Sequence, residues 1–261
     1  MKRVQKSPSP QALKGYISRN PSATWKQLRR ERKTYHACRD QLIYDQGGIC
    51  AYCETKVAPI QNPSKGFRTC SVEHFHPKSD ALNWHLDWNN MLAVCDGGKE
   101  SVSEEKEINP RAKDLSCDAN KNRMYTKGVL TAGSESELLN PLDIPAFPNI
   151  FSLDEAEGRL IPNEANCALI SIPGHKYATT SELVRHTILM LNLNCNRLVG
   201  ERKELIKDIE RTKEELRTKG QPPTDLINRY FVAKWPKYFT TLRCALSTIA
   251  ENHLKSINYQ G

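Results

Sequence analysis

The sequence predicts an α+β fold, mainly helical, in which a small strand-and-turn centre is flanked by helices on its N-terminal and C-terminal sides. Three observations carry this. Apolar residues recur at helical spacing over residues 23–46 and again from 181 onward. Nearly all the chemistry-bearing residues fall between 48 and 125. Short apolar runs broken by Pro141, Pro145, Pro148, Pro162 and Pro173 fill the stretch between the centre and the last helices.

The elements follow in order. Residues 1–22 are basic, carry Ser7-Pro8-Ser9-Pro10, and read as an extended arm. Residues 23–46 read as helix, with Trp25, Leu28, Tyr35, Cys38 and Leu42 on one side and Gly47-Gly48 as its stop. Residues 97–116 are polar, lack a period, and read as an inserted loop. Residues 126–172 read as turns and short strands. Residues 181–218 read as helix, with Leu198, Leu205, Ile209 and Leu216 as its apolar stripe, stopped by Gly220-Gln221-Pro222-Pro223. A last helical region runs over 224–257 with a break at Pro236. The division expected is 1–47, a basic arm and helix; 48–125, the chemical core; and 126–261, a proline-rich wrap and helical region.

The formal net charge of the 261 residues is +8, which suits a polyanionic partner, nucleic acid before an anionic membrane surface. The charge is dense on the first helical stretch, where Lys26, Arg29, Arg30, Arg32 and Lys33 meet only Glu31. That stretch is either a solvated helix face or a surface that contacts phosphate. No run approaches the ~18 apolar residues that span a bilayer, and no apolar core follows the charged N-terminus, so a cytoplasmic protein with no membrane partner is expected. There is no Gly-rich phosphate loop.

Nine cysteines in such a chain point to metal ligands or buried thiols rather than a disulfide framework. Cys50-Ala51-Tyr52-Cys53 follows a Gly-Gly turn and lies in no βαβ pattern, which favours a knuckle over a redox pair. A structural zinc site takes four ligands, and Cys95 and Cys117 are the expected second pair. Twenty-one residues separate them where a tight pair is usual; alternatively they are merely buried thiols, or Cys70 replaces one of the four. Cys38, Cys167, Cys195 and Cys244 fall at core-like positions.

Between the halves of this set lies Glu73-His74-Phe75-His76-Pro77-Lys78-Ser79. A carboxylate beside a histidine can hold a hard cation while the imidazole takes a proton. The order Cys50/Cys53, Glu73-His74-x-x-Pro77, Asn90-Met91-Leu92-Ala93-Val94-Cys95, then Cys117-Asp118-x-x-Lys121 resembles that of HNH endonucleases, whose core is the ββα-metal fold. The wording over 73–79, Trp88-Asn89-Asn90-Met91-Leu92, and Thr187-Ile188-Leu189-Met190-Leu191-Asn192-Leu193-Asn194 resembles the PtuB branch.

The resemblance implies roles by position. His74 is the general base. Glu73 and Asp118 hold the catalytic Mg²⁺ or Mn²⁺, with Asn120 as the fallback for Asp118. Asn90 ties the loop and orients the base. His76, Lys78 and Lys121, with Arg29, Arg30 and Arg32, are candidates for nucleic-acid contact. The resemblance also implies an anti-phage effector of a Septu or retron system, a PtuA-type ATPase partner, and in the retron case a reverse transcriptase with its RNA–DNA hybrid. DNA is the expected substrate. The competing readings are an RNA nuclease, a non-catalytic zinc module that binds nucleic acid or protein, and a structural subunit with a degenerate nuclease centre.

Overall fold

The computed structural model describes residues 1–58, 68–77, 84–99, 114–131, 133–233 and 235–261. Helices α1 (Gln11–Arg19), α2 (Trp25–Arg30) and α3 (Arg32–Asp45) come first. The expected extended arm is therefore partly helical. Leu13 and Tyr16, three residues apart, are buried and draw α1 onto α3. Residues before it are extended but docked: Lys6 Nζ reaches the carbonyls of Trp88 and Met91, and Trp88 Nε1 donates to Ser7 O. The single helix expected over 23–46 is two. Thr24 and Gln27 form a capping box that starts α2, and the Glu31 side chain accepts from Thr34 N to start α3. Gly47 and Gly48, both at positive φ, end α3.

Strands β1 (Val57–Ala58), β2 (Arg68–His74) and β3 (Met91–Cys95) form one sheet in that order. β2 runs antiparallel to β3, with Cys70 opposite Cys95 and His74 opposite Met91. All five residues of β3 are buried. Two single helical turns, Trp84–Leu86 and Trp88–Asn90, lead into β3. Helix α4 (Cys117–Thr126) then packs against it. The sequence thus gives two antiparallel strands followed by a helix at the centre. Most of the expected 97–116 loop lies outside the described residues.

The proline-rich stretch holds a hairpin of β4 (Phe151–Asp154) and β5 (Arg159–Pro162), a cis Phe147–Pro148 bond, and the short α5 (Glu164–Ala168). The helix expected over 181–218 is two, α6 (Thr180–Met190) and α7 (Asn196–Thr218). Asn192 adopts φ +46° between them, a left-handed conformation that asparagine tolerates better than most residues. After the Gly220–Pro223 stop come α8 (Asp225–Tyr230) and α9 (Phe239–Ser256), the latter kinked at Ser247. One apolar cluster runs through the molecule, joining Leu13 and Leu42, Met91 to Val94, Leu139, Leu183, Leu198 and Tyr238. The N-terminal helices thus share the core of the central strands, while α8 and α9 add two smaller clusters of their own, around Leu242 and around Phe239.

Candidate functional site

Cys50, Cys53, Cys95 and Cys117 converge, with their sulfurs all within 4.8 Å of one another and all four residues buried. The separations are 3.9 Å for Cys50–Cys117, 3.6 Å for Cys53–Cys95 and 3.8 Å for Cys95–Cys117. A tetrahedron with metal–sulfur bonds of about 2.3 Å has sulfur–sulfur edges of about 3.8 Å, so this set fits one metal ion. Burial works against a charged thiol at Cys53, but hydrogen bonds from Cys117, Cys50 and Cys95 outweigh it and hold Cys53 well below the ordinary range. Burial, with hydrogen bonds from the same neighbours, pushes Cys117 well above it. A cation shared among the sulfurs would remove this competition for protons. Cys70 faces Cys95 across the sheet but is not one of the four.

The knuckle turns at Glu54, φ +64°, directly after Cys53. This turn is gripped from far away in sequence. Thr240 donates to the Glu54 carboxylate through its backbone N at 2.8 Å and its hydroxyl at 2.5 Å, and Tyr238 N donates to Glu54 O. Gln46 ties the same region to β3, donating to Ala93 O and accepting from Ala93 N.

At the end of β2, Glu73 turns toward α4 and His74 toward α2. Glu73 is 6% exposed and receives Lys121 Nζ at 2.7 Å. Burial opposes its charge, yet Lys121 and a hydrogen bond with Asp118 keep Glu73 below the usual carboxylate range. Asp118 pays in the opposite direction: burial first, then Glu73 beside it, pushes its carboxyl up to about 8. Two carboxylates in contact, one of them forced toward its neutral form, are a donor set that suits a hard divalent cation. Asn120 does not join them. Its Nδ2 donates to Met190 O at 2.8 Å, toward α6.

Lys121 corrects an expectation. It is 2% exposed, and its ammonium bonds Glu73 together with the carbonyls of His74 at 3.1 Å and Phe75 at 2.8 Å. Three donors meet three acceptors, so nothing of it is turned to a phosphate.

His74 Nε2 lies 2.9 Å from the carbonyl of His85. A carbonyl only accepts, so Nε2 carries the proton and Nδ1 is the basic nitrogen. Trp25 of α2 packs edge-on against the imidazole, ring centres 4.4 Å apart. The His85 ring in turn bonds Ala23 O at 3.1 Å, just before α2. Asn90 ties this frame together. Its Nδ2 donates to His76 O and Trp84 O, both at 3.0 Å, and its Oδ1 accepts from His76 N. The His76 ring stacks on Trp84 at 4.7 Å and 17°. Lys78 lies outside the described residues. Arg29, Arg30 and Arg32 are exposed, together with Lys26 and Lys33, on the helices that begin beside Trp25. The cationic surface therefore starts at the residue that packs on His74.

Trp25 and His85 are absent from the sequence reading as site residues, as is Tyr52. The Tyr52 ring is 1% exposed, and its hydroxyl has no hydrogen-bond partner among the described residues. Burial, then Glu73 and Asp118, push it well above the ordinary tyrosine range, so it stands between the cysteine set and the carboxylates. Its position inside the Cys-x-x-Cys was the one signal available. No helix among the described residues is long and apolar enough to cross a membrane.

No family model matches the chain. It is similar to a protein of Escherichia coli whose name assigns it as the HNH endonuclease of retron Ec83, with 36% identity over 213 residues that cover 79% of each chain. At that identity and coverage, the chain belongs to the HNH endonuclease family and is an enzyme of the nuclease class.

Proposed function

We propose that the protein hydrolyses phosphodiester bonds of nucleic acid, DNA in the first place, at a ββα-metal centre formed by β2, β3 and α4. The observation that carries this is the convergence of Glu73 and Asp118 beside a histidine whose tautomer is fixed by a backbone carbonyl. His74 removes a proton from the attacking water through Nδ1. Glu73 and Asp118 would hold Mg²⁺ or Mn²⁺, which when bound neutralises charge on the scissile phosphate and the leaving oxygen. Lys121 fixes the Glu73 carboxylate and the carbonyls of His74 and Phe75. Asn90 holds the turn that offers the His85 carbonyl to the base. Arg29, Arg30 and Arg32 supply sequence-independent attraction for the phosphate backbone.

The four cysteines would bind zinc, outside the chemistry, where their sulfurs join the knuckle, β3 and α4. The retron in the relative's name supports a place in an anti-phage system of that kind. An ATPase partner of the PtuA type, and a reverse transcriptase with its RNA–DNA hybrid, belong to the same reading. It rests on the motifs that resemble the PtuB branch.

The test incubates the purified protein, alone and with the neighbouring ATPase, with plasmid DNA and with total RNA in Mg²⁺, Mn²⁺ or EDTA. Metal-dependent cleavage of plasmid is the expected result. Cleavage of RNA alone makes RNA the substrate, and no cleavage under any condition makes the chain a binding module.

A further inference from the structure

A cavity of about 410 Å³ opens directly behind the proposed catalytic strand end, lined by Phe75 and His76, the two residues that follow His74. That volume lies within the ~300–1,000 Å³ of small-molecule sites. One wall is aromatic: Phe75, His76 and Trp84, the last two stacked on each other. The lining also includes Glu135, Asn140 and Asp143. Glu135 is buried, with one carboxylate oxygen 3.4 Å from the Tyr125 hydroxyl of α4. Asn140 Oδ1 accepts from Leu142 N, which leaves the amide nitrogen as its donor.

We propose that this cavity takes an unpaired nucleobase of the strand being cut, and that guanine fits it best. The proposal rests on the nuclease reading above. A flat aromatic wall offers stacking to any base. The polar part of the lining is selective. Guanine alone presents two adjacent N–H donors, N1 and N2, next to the O6 acceptor. A carboxylate such as Glu135 accepts both donors, and an amide such as Asn140 meets O6. Adenine and cytosine place a ring acceptor beside their one amino group, and thymine has a single donor between two carbonyls, so each sets a lone pair against a carboxylate. A buried carboxylate left facing such an acceptor discriminates strongly, because it loses water without gaining a partner. Asn90 and Lys121 hold the backbone at His76 and Phe75, so the base site and the proposed catalytic residues share one rigid frame.

The experiment titrates the protein with single-stranded pentamers that differ only in the central base, each as DNA and as RNA, without added Mg²⁺ or Mn²⁺, reading tryptophan fluorescence. Guanine pentamers should quench Trp84 and bind about tenfold tighter than thymine or uracil pentamers, the scale of one bidentate base-edge contact. Trp84→Phe should abolish the quench. Glu135→Gln should reduce the preference to within about threefold, since an amide keeps only one acceptor. If Glu135→Gln does not fold, Trp84→Ala should weaken all pentamers by about tenfold through lost stacking. Equal affinity of the parent protein for all four bases overturns the proposal. So does a guanine preference that survives Glu135→Gln, or affinities unmoved by Trp84→Ala. The DNA and RNA arms separate the two sources of the base. Because the Mg²⁺ or Mn²⁺ that cleavage needs is withheld, binding is independent of cleavage: an active nuclease with equal affinities fails the pocket alone, and selective binding without any cleavage fails the nuclease reading alone.

Discussion

Cys117 and Asp118 are neighbours in the first turn of α4, yet they serve regions built on opposite principles. At the cysteine set, four buried sulfurs that compete for protons converge at metal-ligand spacing. At the acid–histidine centre, charge is already present and already countered, because a buried ammonium, Lys121, bonds Glu73. Neighbouring Asp118 is forced toward its neutral form. The first arrangement holds chain segments together once an ion binds. The second sets one carboxylate countered by an ammonium beside another forced toward its neutral form, at a strand end. Substitutions at the cysteines should therefore act on the fold, and those at the carboxylates should divide between fold and metal affinity.

The largest effect on stability is expected at the cysteines. Cys53→Ser and Cys117→Ser should each lose the metal and lower stability by about 3 kcal/mol or more, about 10 °C in Tm for a chain of this size. Metal analysis with thermal unfolding checks this; retention of both metal and Tm would remove the distinction between the two regions.

Glu73→Ala should come next. It strands the Lys121 ammonium, 2% exposed, without its carboxylate, and loss of one partner of a buried pair costs about 3–5 kcal/mol. It should also weaken Mg²⁺ or Mn²⁺ binding, so excess metal restores part of the activity but none of the stability of the metal-free protein. Denaturant unfolding in EDTA beside a metal titration separates the two.

Asp118→Asn should be mildest, with a change of sign. In the fold the Asp118 carboxyl keeps its proton up to about pH 8, whereas the unfolded chain releases it near about pH 4. Between those values the folded state binds more protons, so stability falls as pH rises. Asparagine removes that loss. The metal-free variant should be more stable than the parent at pH 8, by about 1 kcal/mol or more, and equal to it at pH 4, while binding Mn²⁺ more weakly. A flat difference across that pH range would contradict this.

How much of this was legible in the sequence follows the range of the contacts. The four cysteines carried their own signal, since a Cys-x-x-Cys demands a second pair and Cys95 and Cys117 lie on either side of the long loop. Glu73, His74, Asn90 and Asp118 were visible as a motif because they sit at fixed offsets on short elements. Lys121 was misread, because a lysine on a short polar helix looks solvated until the helix is seen to pack on β3. Trp25 against His74, and Thr240 on Glu54, join residues 49 and 186 positions apart, and no local pattern encodes such pairs. The docked start of the chain was hidden by its charge. Lys6 belonged to a basic stretch read as an extended arm, but it lies over the Trp88 ring and bonds backbone carbonyls, and burial lowers its pKa to about 7.

The central claim is that one residue, His74, supplies the proton transfer while the cysteine set supplies the fold. Single-turnover cleavage by His74→Ala, measured on protein of verified metal content and Tm, tests it most directly. The account predicts parental metal content, a Tm within about 3 °C of the parent, and a rate lower by about 10²–10⁴-fold. Cleavage by His74→Ala at the parental rate would contradict it.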